Sequence, residues 1–232
     1  ADIQALRLQR RLSRALIVPV TLAIALVARG YFKYRLDADI DAVRADLWAK
    51  IDAHDGPVIW AANHLTLIDS FLIFWALVPF RRLREDRRIP WSTPEYANYY
   101  RLGGKVLSAL VRGLMYLCRC IPFLRGGEDA ASETWRQNAF DKCVWILREG
   151  GSVFVYPEAG RSRSGWLDQN RPKDFLGKLA LDFGFWYYWY PGGTCYADGI
   201  ICPQVLANGN FIKADLSFWE VYFKPTWAVN DS

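Results

Sequence analysis

Methionine and histidine are almost missing from the 232 residues: Met115 is the only methionine, and His54 and His64 are the only histidines. A chain that begins at Ala1 and has no earlier methionine is expected to lack its native start. The five cysteines, Cys118, Cys120, Cys143, Cys195 and Cys202, are odd in number and form no C-x-x-C pair. That excludes a disulfide framework or a zinc site as the organising element, and no metal is expected. Buried thiols in a reducing compartment are the expectation, with Cys118 and Cys120 alternating on one face of a strand. Low-complexity tracts and internal repeats are also lacking, which excludes a disordered chain and a solenoid.

What is present is apolar: 52% of the residues are hydrophobic and 16% are aromatic. The length suits one α/β domain with a small N-terminal attachment. The net charge of +5 is unevenly placed. Residues 1–35 carry Arg7, Arg10, Arg11, Arg14, Arg29, Lys33 and Arg35 against the single acid Asp2, so the basic excess belongs to this segment. At 100° per residue the first four arginines fall on one side of a helix, and Ala5, Leu8, Leu12, Ala15 and Leu16 fall on another. An apolar run from Ala15 to Ala28 follows.

That run makes about 21 Å of helix against a hydrocarbon core of ~30 Å, and Pro19 interrupts it. Residues 1–35 therefore read as basic amphipathic and apolar helices forming a monotopic anchor on an anionic membrane surface. A signal peptide and a soluble helical pair packed on the domain are the alternatives. Against the first, the A-x-A triplet Ala23-Ile24-Ala25 lies inside the apolar run. Nucleic acid is not an expected partner, because the basic helix adjoins an apolar run and no polar groove. A second basic cluster, Arg81 to Arg88, reads as a solvated loop that would help docking if it faced a bilayer or an acidic carrier protein.

Two clusters carry chemistry. In Asn63-His64-Leu65-Thr66-Leu67-Ile68-Asp69 a carboxylate follows an imidazole by five positions. Pro57 to Ala62 reads as a buried strand and Leu67 to Leu77 as a helix, so His64 falls in the turn and Asp69 about one helical turn later. A His used as general base needs a carboxylate that fixes its tautomer and stabilises the imidazolium. The plain alternative is a capping box from Thr66 to Asp69. The second cluster is a strand, Val153 to Tyr156, stopped by Pro157 and followed by Glu158-Ala159-Gly160-Arg161-Ser162. Such a turn can bind phosphate through Arg161, Ser162 and backbone N–H groups, or be a plain basic loop.

Together, Asn63-His64 through Asp69 and the later Tyr156-Pro157-Glu158-Ala159-Gly160-Arg161-Ser162 resemble the N-H-x-x-x-x-D and F-P-E-G-T-R-S blocks of the glycerolphosphate and lysophospholipid acyltransferase family. Cys120-Ile121-Pro122-Phe123-Leu124-Arg125 resembles the family's middle strand ending in Arg, and Ile201-Cys202-Pro203-Gln204-Val205 its late hydrophobic-proline step. All four stand in the family's order across residues 57–206.

The resemblance implies that His64 is the general base and Asp69 its orienting partner. It also implies that Arg125, Glu158, Gly160 and Arg161, with Ser162 beside them, form the acceptor's phosphate and glycerol site. The reaction would move a fatty acyl group from a thioester, acyl-CoA or acyl-carrier protein, to the free hydroxyl of a lysophospholipid such as 1-acyl-glycerol 3-phosphate, with no other cofactor. The place would be the cytoplasmic face of the inner or cell membrane. Two departures bear on the acceptor: Ala159-Gly160 stands for the usual Gly-Thr, and Arg119 stands where the middle block often has Gly. The same chemistry on a non-glycerolipid hydroxyl or amine therefore stays open, as do a thioesterase and a noncatalytic membrane- or carrier-binding protein.

The expected fold is α/β, a mostly parallel twisted sheet covered by helices, with the acyltransferase domain over residues 36–232. Helices are expected from about Tyr96 to Leu114, from about Ala130 to Arg148 and from about Asp174. Late strands are expected near Ile200 to Leu206 and Phe218 to Phe223. The aromatic run Phe183 to Tyr190 suits a bilayer interface, an apolar tunnel wall or the core.

Overall fold

The computed structural model describes residues 2–36, 40–53, 56–61, 69–100, 104–124, 126–156 and short strands at 187–188, 196–197, 200–201, 204–205 and 211–212. The chain divides into two compact units, Ala1–Val58 with Leu67–Phe154 and Ile59–Thr66 with Val155–Ser232. The described residues are mostly helical, with a small parallel sheet of three strands, so the sheet is smaller and the helical share larger than expected from sequence.

The first unit opens on α1 (Ile3–Leu26), whose N-cap Asp2 accepts a hydrogen bond from the Ala5 N–H at 3.0 Å. The expected break at Pro19 is not there: α1 runs through it and ends in a π-helical turn, Val27–Tyr31. One continuous helix thus replaces the expected amphipathic and apolar pair. Proline costs a helix one backbone hydrogen bond, and packing on both sides of it, through buried Ile17 and Thr21, holds the helix together.

Next come α2 (Ile40–Ala53), which the sequence did not suggest, β1 (Val58–Ala61) and α3 (Asp69–Leu77). The last carbonyls of α3 would be orphans, and α2 satisfies them. Arg44 Nε donates to the Ala76 carbonyl at 2.6 Å, and Trp48 Nε1 donates to that of Leu77 at 2.8 Å. The end of α3 is thereby pinned to α2.

A 3-10 turn, Phe80–Arg82, leads to β2 (Pro90–Ser92), then α4 (Tyr96–Tyr100) and α5 (Lys105–Leu117). The helical region expected over 96–114 is thus made of two helices. Beyond α5 the expected strand reduces to two parallel bridges, Ser92 to Cys120 and Glu95 to Phe123. Cys118 caps α5, so it does not share a strand face with Cys120.

The helix α6 (Ala130–Arg148) has the bounds read from sequence. Asp129 caps its start by accepting from the Ser132 N–H at 2.8 Å. At its end Gly150, at φ +71°, donates to Leu147 and Gly151 donates to Ile146, a Schellman stop that turns the chain into β3 (Ser152–Val155). β2 pairs with β3 in parallel, Trp91 opposite Val153, and the Val58 N–H at the start of β1 donates to the Gly151 carbonyl.

In the second unit β1 pairs in parallel with β6 (Ile200–Ile201). Antiparallel pairs join β6 to β5 (Tyr196–Ala197), β5 to β4 (Tyr187–Tyr188), and β7 (Gln204–Val205) to β8 (Phe211–Ile212). The late strand expected near 200–206 is present as β6 and β7. The expected helix from Asp174 and strand from Phe218 lie outside the described residues.

Cys118, Cys120 and Cys143 are free, and the last two are buried. Desolvation pushes both buried thiols up to about 12. Alkylation of the native protein at about pH 8 is expected to spare Cys120 and Cys143 and to label both after denaturation, because the thiolate is the nucleophile. Peptide mapping reads the outcome, and equal labelling before and after denaturation would show that this core opens readily.

Candidate active site

Asp69 is the first residue of α3 and is only 3% exposed, inside a helix otherwise as apolar as Phe71-Leu72-Ile73-Phe74-Trp75. Burying a carboxylate is costly unless it is engaged, and a helix start is where its charge is best tolerated. Asp69 is not an isolated charge there. With the far end of α3 fixed by Arg44 and Trp48, the carboxylate is carried on a rigid element. His64, the other half of the expected pair, lies outside the described residues, as do Thr66, Arg125, Glu158, Gly160, Arg161 and Ser162.

The segments leading to those positions are described. β1 is buried from Val58 to Trp60 and ends two residues before Asn63. β3 is buried throughout and ends just before Tyr156-Pro157-Glu158. Helix α6 grips both sides of Arg125. Trp135 Nε1 donates to the Pro122 carbonyl at 2.9 Å, and Arg136 Nη1 donates to the carbonyls of Gly126 and Gly127 at 2.8 and 3.0 Å. Gly127, at φ +76°, has no alternative, because a Cβ there would lie 2.3 Å from Ser132 Oγ.

The middle block holds the residue that sequence reasoning undervalued. Arg119 is 1% exposed and sits at φ +58°, in the left-handed region. A glycine adopts that backbone freely, whereas a side chain costs about 1–2 kcal/mol there. The signal was present in sequence as an Arg where Gly is usual, but its meaning was not.

The guanidinium of Arg119 offsets the strain. Nε donates to Ser13 Oγ of α1 at 3.0 Å, Nη1 donates to the Asp86 carbonyl at 2.7 Å, and Nη2 pairs with the Asp86 carboxylate. The ring of Trp91 lies 5.7 Å away. Asp86 also takes Arg10 of α1 at 2.6 Å. Burial pushes the Asp86 carboxyl up, but Arg119 and Arg10 together outweigh it and hold it below the usual carboxylate range. The cluster read as a solvated loop is therefore tied, at Asp86, into the junction of α1 with the middle block. Gln9 adds to the same junction, its amide donating to the carbonyls of Tyr116 and Cys120.

α1 is an inverted amphipathic helix. Facing the rest of its unit are Leu6, Gln9, Ser13, Ile17 and Thr21, three of them polar, while Leu8, Leu12, Leu16, Leu22 and Leu26 are exposed. Exposed Val106, Leu107, Leu110 and Leu114 of α5, which packs on α1, add to this apolar surface. By length and composition alone Ile3–Tyr31 also meets the requirement for a membrane-crossing helix.

No curated protein and no solved structure matches the chain. A family model, Acyltransferase, matches residues 43–205, which takes in the Asn63–Asp69 and Tyr156–Ser162 blocks, the middle block and the late strand. The chain is an enzyme of the acyltransferase family, the glycerolphosphate and lysophospholipid acyltransferases.

Proposed function

We propose that the protein transfers a fatty acyl group from a thioester, acyl-CoA or acyl-carrier protein, to the free hydroxyl of a lysophospholipid such as 1-acyl-glycerol 3-phosphate. His64 takes the hydroxyl proton as the oxygen attacks the thioester carbonyl, and Asp69 orients the imidazole and stabilises its cation. A tetrahedral oxyanion forms and collapses, and the thiolate leaves without a strong acid. Arg125, Glu158, Gly160, Arg161 and Ser162 hold the acceptor's phosphate and glycerol. The observation that carries this reading is a buried carboxylate opening a helix five positions after the histidine of the only Asn-His pair in the chain. Supporting it, each catalytic block follows the C-terminal end of a strand in a parallel sheet, where ligands of such sheets bind.

The working place is a membrane surface at its cytoplasmic face. Support comes from α1, which buries polar side chains against its own unit from Gln9 to Thr21 and exposes leucines along the same length. A helix docked this way lies along the protein, and a bilayer covers its outer side without the helix crossing alone.

Purified protein incubated with a long-chain acyl thioester is expected to release thiol and form diacylated product only when 1-acyl-glycerol 3-phosphate is added. Mass spectrometry of the lipid reads this. Thiol release independent of any acceptor would make it a thioesterase. The Ala159-Gly160 departure removes a hydroxyl from the acceptor turn and favours, as the second reading, an acceptor without glycerol phosphate. Product with a hydroxyl or amine lipid but not with the lysophospholipid would select it.

A further inference from the structure

The first turns of α1 and the loop after the 3-10 turn, more than sixty residues apart in sequence, meet around one cavity of about 600 Å³. Its lining holds six arginines, Arg10, Arg11 and Arg14 from α1 and Arg84, Arg87 and Arg88 from the loop, against only Glu85 and Asp86. Both carboxylates are already taken: Asp86 by Arg10 and Arg119, Glu85 by Arg82. Arg11, Arg14, Arg84 and Arg87 have no ion-pair partner among the described residues, and all four are exposed. Gathering unpaired guanidiniums costs self-repulsion that an anion removes, and their planar forks suit phosphate.

We propose that this cavity binds the phosphate headgroup of an anionic phospholipid and so fixes the orientation of the enzyme on the bilayer. This rests on the membrane-surface reading above and adds to it a headgroup site distinct from the acceptor-binding residues. A lipid is favoured over a soluble acidic partner by what lies alongside. At 100° per residue, Arg7, Arg11 and Arg14 form a stripe that borders the exposed stripe of Leu8, Leu12 and Leu16 on the same helix. A soluble protein or free phosphate at the arginines leaves those leucines in water, whereas a bilayer covers both.

The test is co-sedimentation of the full chain with vesicles of phosphatidylcholine alone and of phosphatidylcholine containing phosphatidylglycerol. The variant is the double substitution Arg84→Gln/Arg87→Gln, at two exposed arginines that belong to none of the proposed catalytic or acceptor-binding residues, with its melting temperature checked. Wild type is expected to bind the anionic vesicles more tightly, and the variant to lose about tenfold or more of that binding while keeping its binding to neutral vesicles. Anionic-vesicle binding by the variant equal to wild type overturns the headgroup site. Equal binding of wild type to both vesicles also overturns it, yet leaves the membrane-surface reading standing. Binding of wild type to neither vesicle defeats the membrane reading itself. Loss of acyl-carrier-protein capture by the variant with vesicle binding intact would assign the cavity to that protein instead.

Discussion

Replacing His64 by Ala is expected to lower acyl transfer by about 10²–10⁴ without unfolding the protein, because the general base supplies about that much and the acyl thioester is otherwise an activated donor. The loss should fall on kcat, since neither substrate is held by the imidazole before the proton moves. Asp69→Asn should cost as much or nearly so, because the amide keeps the shape yet cannot stabilise the imidazolium. Asp69 is buried at the start of α3, so its variant needs a stability measurement beside the rate. His64→Ala with undiminished kcat would remove the general base from the scheme. A rise in KM with kcat unchanged would instead make His64 a binding residue.

Arg119 carries the largest expected effect on stability. Removing one partner of a buried ion pair typically costs about 3–5 kcal/mol, because the other charge is left without compensation. Here Asp86 would retain Arg10, while Ser13 Oγ and the Asp86 and Ile89 carbonyls would lose a donor. Arg119→Met should therefore lower the melting temperature by about 6–12 °C for a loss of ~3 kcal/mol in a chain of this size. Arg119→Gly should be less harmful than Arg119→Ala by about 1 kcal/mol, because the two leave nearly the same cavity and glycine accepts φ +58° without strain. If the Ala and Gly variants melt alike, the left-handed backbone contributes nothing measurable.

The same cluster gives a pH dependence of definite sign. Asp86 in the folded protein is held below its unfolded value of about 3.9, so its contribution is fully present above pH ~4. That contribution is lost as pH falls through the lower folded value. Asp86→Asn should thus flatten the acid limb of a stability curve and leave its slope near neutral pH unchanged.

Where local signals were strong, sequence and structure coincide. Asp129 and the Gly150-Gly151 pair fixed the ends of α6, because a cap and a left-handed stop act within a few residues. β1, β3 and α3 were legible from short apolar runs bounded by turn residues. α2 was not, since its apolar residues Ile40, Leu47, Trp48 and Ile51 are spread among charges. Its role became visible only where Arg44 and Trp48 meet the end of α3. Pro19 misled for a related reason: the local cost of a proline is real, but long-range packing of α1 overrode it.

The blocks that carry the resemblance, their order and the family were legible in the sequence itself, because a family's chemistry needs particular residue types at particular spacings and these are written along the chain. Tertiary structure alone decided that α1 turns Gln9, Ser13 and Thr21 inward and Leu8, Leu12, Leu16, Leu22 and Leu26 outward, and that a supposed solvated loop shares a cavity with α1's arginines. Tertiary structure also gave Arg119 a buried charge network in return for a strained backbone. These facts join residues from thirty to more than a hundred positions apart. No local propensity encodes such contacts, since which face of a helix is covered depends on what folds against it.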